Sequence, residues 1–249
     1  MEKKNIDFCI EYLAQNNDVK VTNTLDKFST FRSLMNISMP YSFSEEYYQR
    51  QDEVLQEELS KKTIIDGNSL EYVNNIALYQ GDITLLKADA IVNACNEKLL
   101  GCFVPLHSCI DNAIHSFAGL QVRRDLISIM KKQGEDEKNG QCKVTKGYNL
   151  PAKYIFHTVG PKVNIRPTIE DKIDLRNCYI SCLNEAVSLN LKTIAFPSIS
   201  TGIYGFPKSL ASSIAIKAAR DFLETHSIKV IFVTFSDEDT YLYKIRLEQ

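Results

Sequence analysis

The sequence lacks most of the features that would assign it quickly. It has no run approaching the roughly 18 apolar residues of a membrane span, so no membrane partner is expected. It has no basic block. Its 29 Lys and Arg are balanced by 31 Asp and Glu, for a net charge of −2, and no nucleic-acid partner is expected from such a surface. It shows no convincing internal repeat and no low-complexity tract. The opening run MEKKNIDFCIEYLAQNND is basic, but acidic and polar residues interrupt its apolar part, which makes a poor signal peptide. A cytoplasmic location is expected. An even disulfide framework is also missing. The seven cysteines, Cys9, Cys95, Cys102, Cys109, Cys142, Cys178 and Cys182, are scattered and lie mostly in apolar segments. In a reducing compartment most read as small buried hydrophobes, with Cys102 and Cys109 the exceptions.

What is present is ample apolar content, 44% of 249 residues, enough for one large domain or a domain plus an extension. Residues 1–74 carry short helical patterns, such as Phe8, Cys9, Tyr12 and Leu13. A longer one over Glu45–Lys62 places Tyr48, Leu55 and Leu59 on one side, with Ser44 as its N-cap and Pro40 before it. No chemical cluster stands out there. A helical N-terminal extension packed on the main domain is expected, with a separate partner-recognition arm as the alternative.

Residues 75–249 alternate strand and helix. Strands are expected at Ile76–Gln80, Ala88–Ala94, Tyr154–Val159, Thr193–Pro197 and Ile228–Phe235. Helices are expected at Ile110–Lys132, Glu170–Leu189, Lys208–Glu224 and near Asp237–Leu247. The polar stretch Gly134–Gly140 reads as an exposed loop. Such alternation gives a largely parallel sheet covered on both faces, with ligands outside the carboxyl ends of its strands.

Three segments fall at those strand ends. SISTGIYGFP at 198–207 joins a strand to a helix, and its glycines suit a backbone cradle for an anion at a helix N-terminus. A plain tight turn is the other reading. In QGDIT, the Asp82 carboxylate suits either an exocyclic amine of a base or a turn cap. In VNACN, Asn93 and Asn96 suit ribose hydroxyls or turn closure.

In order along the chain, LYQGDIT at 78–84, DAIVNACN at 89–96, GYNLPAKYIFHTVGP at 147–161 and AFPSISTGIYGFP at 195–207 resemble the macrodomain family. The resemblance covers roughly residues 72–249. It implies a three-layer α/β/α sandwich with a mixed, largely parallel central sheet, and ADP-ribose as ligand. Carried onto these residues, it implies that Asp82 holds the adenine amine near the Ile83 amide and that Phe235 packs on adenine. Gly202, Ile203, Tyr204 and Gly205 would surround the diphosphate, with Ser200 and Thr201 lining the same loop. Asn93 and Asn96 would face the distal ribose, where Tyr204 also packs. Cys95 departs from the family's usual alanine.

The segment GCFVPLHSCIDNAIHSFAG at 101–119 replaces the short glycine run of ordinary hydrolytic macrodomains. Cys102, His107 and Cys109 have the spacing C-x4-H-x-C. Two thiolates and an imidazole suit zinc, and three protein ligands leave a fourth position open, as in catalytic sites. A buried cysteine pair with a solvent-facing histidine is the plain alternative. The wording GCFxPxHxCIDN resembles the zinc-dependent macrodomains, a microbial branch associated with sirtuin-type ADP-ribosyltransferases. That resemblance implies one zinc ion per chain and removal of ADP-ribose from mono-ADP-ribosylated protein side chains. It also suggests a lipoyl carrier protein as the modified partner. Asp111 takes the place of the acidic residue of non-zinc hydrolytic relatives, and catalysis or helix capping are its two readings. With Asn96 it is the expected catalytic residue. His115, His157 and His226 read as structural. A reader that binds ADP-ribose without cleaving it, with zinc only bracing a loop, is the rival. A hydrolase of small ADP-ribose derivatives is a second.

Overall fold

The computed structural model describes residues 4–22 and 24–248; residues 1–3, 23 and 249, at the ends of and within the ranges expected above, lie outside that description. Three helices come first: α1 (Asn5–Asn16), α2 (Lys27–Ile37) and α3 (Glu45–Ser60). As expected, Ser44 caps α3, accepting from Tyr47 N at 3.2 Å. These helices share a small core of Cys9, Leu13, Phe31, Met35, Tyr47 and Leu55, which also takes in Leu120 from later in the chain. A short strand β1 (Ile65–Asp66) then pairs in parallel with β3 (Leu86–Lys87), and β2 (Ile76–Gln80) lies between them in sequence.

The rest of the chain is β4 (Ala90–Cys95), α4 (Ile110–Ala118), α5 (Leu120–Gln133), β5 (Cys142–Lys146), β6 (Tyr154–Val159), α6 (Ile169–Ser188), β7 (Thr193–Phe196), α7 (Lys208–Leu223), β8 (Lys229–Thr234) and α8 (Asp237–Leu247). Six strands form one sheet in the order β2-β8-β7-β4-β6-β5. Every neighbouring pair is parallel except β5 with β6. The sheet is therefore mixed and largely parallel, as the alternation of elements predicts. Edge strand β5, Cys142–Lys146, has mixed polar residues and was not expected from its pattern.

The central strands are apolar on both faces because each face has its own helical cover. Phe156, Phe196 and Phe232 pack with Leu175, Tyr179 and Leu183 of α6 and with α7 on one side. Ile91, Ile155 and Ile231 pack with Ile114, Val122 and Leu126 of α4 and α5 on the other. Each such side chain contributes roughly 1.5–3 kcal/mol by burial, so the two layers fix the sheet rigidly.

One expected element differs. The apolar stripe over 110–132 suggests one helix, but Gly119, at φ 100°, ends α4 and opens α5. A Cβ there would lie 2.7 Å from Gln51 Nε2 and from Gln121 Oε1. The glycine thus lets α3 approach the break. Between Gly134 and Gly140 the loop is not wholly exposed: Glu137 is buried and pairs with Lys143 at 2.7 Å.

Candidate active site and metal centre

The loops leaving the carboxyl ends of β2, β4, β7 and β8 surround one cleft of about 820 Å³. That is room for a dinucleotide-sized ligand. At one end, Asp82 follows β2. Its Oδ1 caps the turn 83–85, accepting from Thr84 N at 2.8 Å and from Thr84 Oγ1 at 2.7 Å. The turn-cap reading of Asp82 thus holds, and the residue also lines the cleft. Ile83 lines it too. Phe235, just past β8, is 84% exposed and borders the same end.

The middle is the loop from Ser200 to Gly205, ahead of α7. It closes on itself through Gly205 N to Gly202 O and Phe206 N to Ser200 O, both 2.9 Å. Ser200 (φ 64°) and Gly205 (φ 69°) take left-handed backbone. This turns the intervening chain outward. The amides of Gly202, Ile203 and Tyr204 make no hydrogen bond among the described residues. Three unpaired N–H groups near a helix N-terminus make an anion cradle. The Ser200 hydroxyl is buried and also unpartnered. Gly160 is needed alongside, because a Cβ there would collide with the Ser200 side chain. Burial pushes the Tyr204 phenol up to about 12.

At the far end, β4 runs into the segment 101–109. Asn96 lines the cleft but is already engaged, donating from Nδ2 to Gly101 O at 3.3 Å and accepting at Oδ1 from Lys98 N at 3.0 Å. One Nδ2 hydrogen remains for a ligand. Asn93 is placed differently from the expectation. It is fully buried, covered by α4 and β6, and does not line the cleft. Its Nδ2 instead donates to Asp111 Oδ1 at 2.8 Å and approaches His157 Nδ1 at 3.3 Å. Asn93 therefore faces the carboxylate that a ligand would meet, from behind it.

Asp111 sits in the first turn of α4 and lines the cleft, only 5% exposed. Burial pushes its carboxyl up to about 6, against the opposing effects of the Asn93 hydrogen bond and the Arg123 charge. It is not the N-cap. That role falls to Cys109, whose Sγ accepts from Asn112 N at 3.4 Å. His115 lies 3.5 Å from Asp111 and is held neutral by burial, with the Arg123 and His157 charges acting in the same direction. His157 is a core histidine between Asn93 and Thr145, and His226 stacks on Phe222 at the end of α7.

Cys102, His107 and Cys109 come together at this end. Their ligand atoms all lie within 4.8 Å of one another, the one such group among the described residues. All three line the cleft beside Asp111. The donor set fits a divalent metal of zinc type: two sulfurs and a nitrogen, with His107 Nδ1 buried and without a hydrogen-bond partner. Without a metal, burial pushes the Cys109 thiol up to about 12.

Comparison with known proteins agrees with this layout. A family model described as "Macro domain" matches residues 92–215. The chain is 45% identical over 235 residues to a Staphylococcus aureus protein named "Protein-ADP-ribose hydrolase", covering 92% of this chain and 88% of that one. The chain belongs to the macrodomain family. A Treponema medium protein of the same name is 41% identical over 248 residues, 95% of each chain. Among solved structures, a Trypanosoma brucei macrodomain in complex with ADP-ribose superposes with a TM-score of 0.65 at 30% identity, covering 86% of this chain and 94% of that one. Each of the four motifs contributes to the macrodomain's cleft, which the 101–113 segment and the end of β8 complete.

Sequence reasoning missed the support behind the macrodomain's 101–109 segment. Arg123 is nearly fully buried, yet carries a guanidinium. It occupies a core-facing position of α5 in register with Leu120 and Leu126, and an arginine in an apolar stripe was the available signal. Asn36 and Asn112 gave none, since buried asparagines look like surface ones in sequence.

Proposed function

We propose that this macrodomain is a hydrolase that removes ADP-ribose from mono-ADP-ribosylated protein side chains, with a zinc ion held by Cys102, His107 and Cys109. The single observation that carries this reading is the convergence of those three ligand atoms on the wall of the cleft that also holds Asp111 and the anion cradle. The relatives named for protein-ADP-ribose hydrolysis support the reaction.

In this reading Asp82 accepts from the adenine amine, the Ile83 amide lies beside it, and Phe235 covers the base. The amides of Gly202, Ile203 and Tyr204 take the diphosphate, with Gly205 closing the loop beside it and Ser200 and Thr201 alongside. Tyr204 and Asn96 hold the distal ribose. These contacts are remote from the bond to be cut and position the reacting end. Zinc, when bound, supplies Lewis-acid polarisation of an oxygen at the linkage or a more acidic bound water. Asn93 fixes Asp111 Oδ1, so the second carboxylate oxygen is the one that orients or takes the proton of the attacking group. The bond broken joins the distal ribose C1 to the side chain, and water supplies the new hydroxyl.

The test is release of ADP-ribose from a mono-ADP-ribosylated protein by wild type and by Cys102→Ala. Lipoyl carrier proteins belong among the substrates tried. Release by wild type, and loss of at least ~100-fold in Cys102→Ala with ADP-ribose binding retained, is expected. Binding without release across several linkage types would favour a reader, and turnover confined to small ADP-ribose derivatives would favour a different hydrolase.

A further inference from the structure

Asn36, at the end of α2, is 1% exposed, and its carboxamide has two partners in the following domain. Its Oδ1 accepts from Leu106 N at 2.9 Å, and its Nδ2 donates to Ser116 Oγ at 2.9 Å. Leu106 immediately precedes His107 and has φ 55°. That is left-handed backbone, which a branched side chain disfavours, and it persists only where surrounding contacts impose it. The hydrogen bond from Asn36 is such a contact. It fixes the Pro105–Leu106 peptide inside the turn that His107 N closes on Val104 O at 3.2 Å, and so the point from which His107 projects.

Arg123 holds the backbone around Asn36, and Asn112 holds the loop that Asn36 contacts. Arg123 donates from Nη1 to Met35 O at 2.9 Å and to Asn36 O at 3.1 Å, and from Nε to Leu100 O at 2.7 Å. One guanidinium therefore ties the end of α2 to the start of the metal segment, while lying 4.5 Å over the ring of Phe103, next to Cys102. Asn112 donates to Val104 O at 3.0 Å and accepts from Arg32 of α2 at 3.3 Å. The stretch between the first two metal ligands is thus held from the N-terminal helices as well as from α4 and α5.

We propose that Asn36 is a positioning residue for the metal site: through the Leu106 amide it holds His107 in ligating position, so the N-terminal helices complete a site whose three ligands all lie in the other domain. This rests on the reading of Cys102, His107 and Cys109 as zinc ligands. Groups that orient metal ligands commonly change affinity by ten- to a hundredfold when removed.

The experiment measures zinc affinity of the full chain by competition with a chromophoric chelator, together with the visible spectrum of the Co2+-loaded protein. Wild type is expected to take up one equivalent. Asn36→Leu removes both bonds and is expected to weaken zinc binding about tenfold or more, with altered Co2+ bands. Asn36→Asp keeps an acceptor for Leu106 N, beside the Arg123 guanidinium, and gives up only the bond to Ser116. It is expected to stay close to wild type, as is Ser116→Ala. Should Asn36→Leu not fold, Asn36→Ser, too short to reach the Leu106 amide, carries the same expectation. Wild-type zinc affinity in the folded Asn36→Leu or Asn36→Ser protein overturns the inference. So does a loss in Asn36→Asp as large as theirs. Wild-type protein that takes up no zinc overturns the metal reading itself, and this inference with it, so the two failures are distinct.

Discussion

A Cβ added at Gly202 would meet nothing within 4 Å, whereas one at Gly147 would run into the Ala152 carbonyl. Gly147 is glycine for packing, and Gly202 is glycine to leave space. Gly202→Val is therefore expected to leave the thermal midpoint nearly unchanged and to weaken ADP-ribose binding by roughly tenfold or more, since about 1.4 kcal/mol suffices for that. Calorimetric titration with ADP-ribose checks this, and unchanged affinity would remove the loop from the diphosphate site. At this scale the sequence was partly legible. Asp82, the glycine loop and the group Cys102, His107 and Cys109 line the cleft where short-range motifs place them. Asn93 did not follow, because a strand end exposes alternate side chains and α4 covers the one at 93. The buried set of Asn36, Asn112 and Arg123 was illegible for another reason: its hydrogen bonds join residues some 80 positions apart.

Among elements, the break at Gly119 has the largest consequence. It separates α4, which carries Cys109 at its cap and Asp111 in its first turn, from α5, which carries Arg123. An uninterrupted helix would draw Arg123 away from Leu100 O and the end of α2 while Asp111 stays at the cleft. Gly119→Ala requires a positive φ that alanine disfavours and places a methyl against Gln51 and Gln121. A loss of roughly 1–3 kcal/mol is expected. For a chain of this size that lowers Tm by about 2–10 °C, measured by calorimetry. An unchanged Tm would mean that α3 and α5 can separate at little cost. Hydrophobic period gave most helices and central strands, because burial on one stripe or on two faces writes itself into the pattern. It joined α4 to α5 because the apolar stripe resumes after Gly119, and it passed over β5, an edge strand with only one partner and a mixed surface.

For the whole molecule, acid stability follows from the buried histidines. Burial lowers His157 from 6.5 to about 3 and holds His115 well below its ordinary value. Between about pH 6.5 and about pH 3 the unfolded chain binds protons that the folded His157 refuses, so stability is full above the upper value and is lost as pH falls. Asp111, raised to about 6, works the other way over the carboxylate range. His157→Gln is expected to flatten the decline of the urea midpoint with acidification, and an unaltered slope would contradict the assignment.

The fold also places its N-terminal helices against the metal segment, a relation that no local pattern could disclose. Their core takes in Leu120 of α5, the last carbonyls of α2 accept from Arg123, and Asn36 contacts the loop that carries His107. Removing metal should therefore affect catalysis and loop order together. The most direct measurement combines metal content with release of ADP-ribose from a modified protein on one preparation, before chelation, after it, and after zinc is restored. Zinc-dependent cleavage predicts close to one equivalent of zinc, loss of release on chelation, and recovery with added zinc. Undiminished release by metal-free protein would contradict it.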